Sequence, residues 1–171
     1  MYKCSHFLMI VISGVIWCVV GVLLMTLGMH HLVDSLRLWD EVIVSSNPSM
    51  IKAFSYIFSK PQQALTAIVA VSLLVGYAKG HFVLLRSVKS GVQRILSYPN
   101  PSEIKNLYAK KYYFLLVGMM GLGMLLRVAK IPEDLHGAID LAIGAALLKG
   151  ALSYFKYALL EKRGILVHEK W

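Results

Sequence analysis

The sequence predicts an all-α, polytopic integral membrane protein: a four-helix transmembrane bundle with a short extracytoplasmic amphipathic helix and a basic cytoplasmic helical hairpin. Three observations predict it. Of the 171 residues, 57% are hydrophobic and only 16% charged, whereas a soluble domain carries about 25% charged residues. Phe7 to Leu27 is 21 residues without a charge, and a helix rising ~1.5 Å per residue crosses a ~30 Å hydrocarbon layer in that length. Three further apolar runs follow. Together they give spans at about 7–29, 61–85, 112–129 and 135–157 within a single membrane domain, 1–171.

The first run reads as a retained span. Its apolar stretch exceeds the ~7–15 residues of a signal peptide, and no small-x-small cleavage site follows it in "LMTLGMHHL". Cys4 and Cys18 are fourteen helical residues apart, roughly 20 Å, which is beyond disulfide reach. Cys18 reads as a small packing residue.

In the first connection, "NPSMIKAFSYIFSK" places Met50, Ile51, Phe54, Ile57 and Phe58 at helical spacing, with Asn47 as N-cap and Pro48 at the first helical position. This is an amphipathic helix lying on the membrane, or a helix packed over the bundle. In the second, Val88, Val92, Ile95 and Leu96 continue the second span as a helix with one apolar face. Pro99 and Pro101 break it, and Ser102 caps a new helix in "SEIKNLYAKKYYF". "IPED" is too short to hold more than a turn, so the last two spans form an antiparallel hairpin. Pro132 opens the fourth helix, and Glu133 and Asp134 sit at the positive end of its dipole.

Orientation follows from Lys and Arg. Of 18, twelve fall on the side of Lys3, the Arg86–Lys111 loop and the C-terminal tail. Four (Arg37, Lys52, Lys60, Lys130) fall on the other, and Arg127 and Lys149 lie inside spans. Both termini are therefore expected in the cytoplasm. This bias accounts for the net charge of +9 without nucleic acid. The Arg86–Lys111 loop also offers anionic lipid headgroups ~1 kcal/mol per basic residue.

Small residues mark contact faces between helices in lipid. The first span carries Gly14, Gly21 and Gly28 with Cys18, the third Gly118, Gly121 and Gly123, and the fourth Ala138, Ala142, Ala146 and Gly150. Ala146 is thus expected to tolerate enlargement worse than Leu147 tolerates truncation. The stripes fit a tight bundle, and equally a homo-oligomer or a larger membrane complex. The methionines of "GMMGLGM" (Met119, Met120, Met124) suit irregular apolar gaps better than soft-metal ligation.

The polar residues inside the bundle are the candidate site. Arg127 and Asp140 flank the last turn at similar depth, and an ion pair between them would lower the desolvation cost of both. His136 precedes Asp140 by four residues, with Glu133 roughly on the same face, and His30 and Asp34 repeat the His-x-x-x-Asp spacing at the end of the first span. Two imidazoles and two carboxylates offer ligands to a divalent metal or a path for protons if the helix ends meet. Lys149 lies on the opposite face of its helix from Asp140 and either snorkels to the interface or lines a polar path.

The chain contains no phosphate-binding glycine loop, nucleophile elbow, paired CxxC or HExxH, so neither an enzyme nor a cofactor is expected. "KGHFVLLRSVKSGVQRI" and "MMGLGMLLRVAKIP" resemble small bacterial inner-membrane proteins of unassigned activity. That resemblance implies a four-span fold and brings no catalytic residues with it. Small multidrug transporters are of similar size, but they carry a glutamate in the first span, which this chain lacks. Two functions are expected: a non-enzymatic scaffold or accessory subunit, or a small transporter or channel using Asp140, Arg127 and Lys149.

Overall fold

The computed structural model describes residues 3–37, 49–58, 60–98, 102–103, 121 and 132–163. Four helices are described at length: α1 (His6–Arg37), α2 (Met50–Ser55), α3 (Pro61–Leu96) and α4 (Glu133–Lys162). Three of them, α1, α3 and α4, are long and apolar enough to cross a membrane. The third sequence-predicted span, 112–129, lies outside the described residues except for Gly121, which is helical.

The buried face of α1 mixes the small and polar Ser13, Gly14, Gly21, Gly28 and Ser35 with the large apolar Met9, Ile10, Trp17 and Leu32. Its exposed face carries Val15, Val19, Val22, Leu23 and Leu27. Apolar side chains facing outward and small residues facing a neighbour are what a lipid solvent selects. Three buried hydroxyls are satisfied within their own helices: Ser13 donates to the Met9 carbonyl (3.1 Å), Ser35 to His31 (2.8 Å) and Ser153 to Lys149 (3.0 Å).

Helix α4 is the centre of the assembly, and glycine lets both neighbours reach its backbone. A Cβ built on Gly28 would sit 2.7 Å from the Gly137 carbonyl oxygen and the Leu141 nitrogen, so α1 and α4 touch main chain to main chain. Gly21 meets Gly144 and Leu148 in the same way. On its other face α4 presents Ala142 and Ala146 to Gly76 and Gly80 of α3. The alanine stripe thus faces α3, and a second stripe, Gly137 and Gly144, faces α1. Gly150 receives the Trp17 ring, which meets Tyr154 edge-on at 5.6 Å. Leu147 is as buried as Ala146 and packs in the core with Met9, Trp17 and Val88. The expectation that position 147 is the tolerant one is therefore corrected.

Helix α3 is continuous but not uniform: Pro61–Lys79 and Leu85–Leu96 are α-helical, and Gly80–Leu84 between them is a π-helical turn. Beyond it, Val88, Val92 and Ile95 are buried, as their spacing predicts. This is the stretch expected to form the first limb of a basic hairpin; the expected second limb lies outside the described residues.

Both ends of the bundle are cross-linked by polar contacts. At one end Lys3–Cys4 (β1) pairs antiparallel with Ser102–Glu103 (β2). Ser102 is thus part of an extended bridge, where the sequence suggested a helix cap. The His6 Nε2 lies 3.0 Å from the Tyr98 carbonyl, and its Nδ1 3.8 Å from Glu161. At the other end the buried Asp134 accepts from the Ser49 hydroxyl (2.6 Å) and the Ile51 amide (2.9 Å), fastening α2 over the start of α4. Ser49 also caps α2 by accepting from the Lys52 amide (3.4 Å). That role had been given to Asn47, which lies with Pro48 outside the described residues. α2 ends at Ser55, so Ile57, expected on its apolar face, is exposed. Pro132 serves as N-cap of α4, one residue before its first turn.

These contacts fix directions. The start of α1 lies with the ends of α3 and α4, and the end of α1 lies with the start of α4. α3 and α4 run parallel to each other and antiparallel to α1.

Candidate functional site

The convergence of titratable groups at the α1–α4 crossing follows from the glycines. Because Gly28 and Gly137 bring the two backbones into contact, side chains one turn further along each helix are forced together. A Cβ on Gly137 would lie 3.1 Å from the Cβ of His31, and one on Gly28 3.2 Å from the Cβ of Asp140. His31 consequently stacks on His136, with ring centroids 5.1 Å apart and planes tilted by 34°. The His136 Nε2 is 3.6 Å from the Asp140 carboxylate, across one turn of α4. One ligand-capable atom from each of His31, His136 and Asp140 lies within 4.8 Å of the others. His136 and Asp140 are buried and His31 is half-buried, so the cluster is shielded from inside the bundle and reachable from its rim.

Of the residues singled out from sequence, His136 and Asp140 therefore meet in this cluster. His30 and Asp34 do pair, at 2.7 Å, with Arg37 3.4 Å from the same carboxylate, but His30 points outward and is 74% exposed. His31, not His30, is the α1 member of the cluster. Helical geometry explains this: His31 follows Gly28 by three residues, ~60° from the contact face, whereas His30 follows by two and is rotated ~200° away. Projecting from the glycine stripe would have selected His31, whereas the His-x-x-x-Asp spacing selected His30. Glu133 is exposed and Asp134, beside it, is buried. Arg127 lies outside the described residues, and so does its proposed pairing with Asp140.

Lys149 sits apart from this cluster. Its Nζ is 3.3 Å from the Tyr77 hydroxyl and 4.7 Å from the centre of the Tyr77 ring, on the α3 side of α4. Asp140 faces α1 and Lys149 faces α3. Among the described residues the two do not form one polar group.

The fold defines a helical protein with three helices fit to span a membrane and a His–His–Asp group at one end of the bundle. Comparison with family models, curated proteins and solved structures finds no significant match to this chain.

Proposed function

We propose that this chain is a four-span bacterial inner-membrane protein with both termini in the cytoplasm, acting as a non-enzymatic scaffold or accessory subunit. The observation that carries this reading is the main-chain contact of α4 with α1 at Gly28 and Gly137 and with α3 at Gly76 and Gly80. Helices held this closely on two faces of a central helix suit a rigid support better than an alternating path. The separation of Asp140 from Lys149 supports the same choice over a transporter that uses both.

The fourth crossing is supported by direction. α3 ends beside the start of α1, and α4 begins beside its end. A return across the bundle between Tyr98 and Pro132 would join these ends, and 112–129 supplies an apolar run of the required length. Parallel neighbours with a single return between them are the economical arrangement.

Cysteine accessibility tests both parts, in a background lacking Cys4 and Cys18. A cysteine at Ser102 should react with an impermeant reagent only when the cytoplasmic face is opened; reaction from outside sinks the topology. A cysteine at Ala142, against α3, should stay unreactive in the folded protein. Rapid labelling there from the aqueous phase would mark a water-filled path and favour the transporter.

A further inference from the structure

We infer that His31, His136 and Asp140 form a binding site for one divalent first-row transition metal ion, which bolts the outer end of α1 to α4. The site is independent of whether the chain is a scaffold or a transporter.

The chemistry of the donors selects the ion. Two imidazoles and one carboxylate suit Zn²⁺ and its neighbours in the first transition row, whereas Ca²⁺ and Mg²⁺ favour all-oxygen shells. His136 and Asp140 stand at i, i+4 on one helix face, the spacing by which a helix offers two ligands to one metal. Their facing atoms are 3.6 Å apart. A tetrahedral ion with bonds of ~2.0–2.1 Å holds adjacent ligand atoms about 3.4 Å apart, so this pair is already near its bound separation. No separation in the group exceeds 4.8 Å, so side-chain rotation need close at most ~1.4 Å. The third ligand comes from a different helix, at a crossing fixed by backbone contact, so its approach is built into the fold. Three protein ligands leave a coordination position open, facing the rim where His31 is half-exposed.

The location also fits an ion taken from water. If α1 enters the hydrocarbon near Phe7, about 20 residues carry it across, and His31 emerges just beyond, at the interface. Both imidazoles must be neutral to ligate.

The test uses the purified full chain in detergent, carrying no polyhistidine tag, with Zn²⁺ for titration and Co²⁺ for its visible spectrum. One equivalent should bind, and Co²⁺ should show the absorption of a site containing nitrogen ligands. His31→Ala, His136→Ala and Asp140→Asn should each weaken binding at least tenfold, a loss of the size that altered metal shells produce. His30→Ala should leave it unchanged. Should a variant fail to fold, the native protein still decides: stoichiometric Zn²⁺ should protect His31 and His136, but not His30, from diethyl pyrocarbonate, read by mass spectrometry. Absence of stoichiometric binding, loss of binding in His30→Ala, or unprotected His31 and His136 in the loaded protein would each overturn the proposal.

Discussion

Replacing Gly28 with alanine should loosen the bundle at the closest described main-chain approach between α1 and α4. The new Cβ would lie 2.7 Å from the Gly137 oxygen and the Leu141 nitrogen, whereas ordinary contact begins near 3.4 Å. The shortfall is about 0.7 Å, and both obstructing atoms are main chain inside a helix, so neither can rotate aside. The helices must part instead, and a gap of 0.5–1 Å forfeits about a quarter to a half of each affected dispersion contact. Overpacking of this kind costs about 1–3 kcal/mol, and the better helix propensity of alanine returns at most ~1 kcal/mol. A net loss of about 1–2 kcal/mol corresponds to a drop of roughly 2–8 °C in Tm for a chain of this size. Gly121 is the control, because among the described residues no atom lies within 4 Å of a Cβ built there, and Gly121→Ala should be neutral or slightly stabilising. Thermal unfolding of both variants in the same detergent reads the difference. Equal or greater stability of Gly28→Ala would show that main-chain contact does not hold α1 to α4, and the placement of His31 against His136 would lose its explanation.

Asp134→Ala should leave the buried Ile51 amide unpaired, at a cost of about 1–3 kcal/mol, and speed hydrogen exchange over 49–55 while the exchange of α1 stays unchanged. Leu147→Ala should be as damaging as Ala146→Leu: the first opens a core cavity worth about 2–5 kcal/mol, and the second forces a side chain against Gly80. Protease resistance in detergent compares them, and a tolerant Leu147→Ala would contradict its burial. Arg127→Leu and Asp140→Leu should each lower folded yield, by about 3–5 kcal/mol if they break a buried pair, and the double variant should recover much of it; a double variant no better than the worse single would show that the two are not partners.

Much of the helical architecture was legible because lipid imposes simple rules on composition. Apolar run length located α1, α3 and α4, and small-residue spacing located contact faces of α1 and α4, though not the Gly76–Gly80 face of α3. What escaped was the direction of individual side chains. The stripe of Gly137 and Gly144 was overlooked because it interleaves with the more conspicuous alanines on the same helix. Asp134 was read as a dipole charge, and its long-range hold on Ser49 and Ile51 could not be anticipated, since nothing local links residues more than eighty positions apart. The His31 choice failed for a different reason: local i, i+4 pairing was weighed above the face defined by Gly28, and the face decided.

Along α3 the buried Ala64, Ile68, Ser72, Gly76, Gly80, Val88 and Val92 fall at every fourth position, with half-buried Leu84 completing the series and Gly91 and Ile95 buried beside its end. A regular α-helix cannot keep such a series on one side, because four residues overshoot a full turn by ~40° at each step. The wider turn at Gly80–Leu84 absorbs part of that overshoot. It works like a leap day, a single surplus unit that keeps two unequal cycles in phase. Were the same residues wound as ordinary α-helix, with none deleted, everything beyond them would be rotated by up to ~100°. Val88 and Val92 would swing away from the core, and Arg86, Lys89 and Arg94 would be carried round with them. The sidedness of the basic limb is therefore encoded about one turn before its first charge.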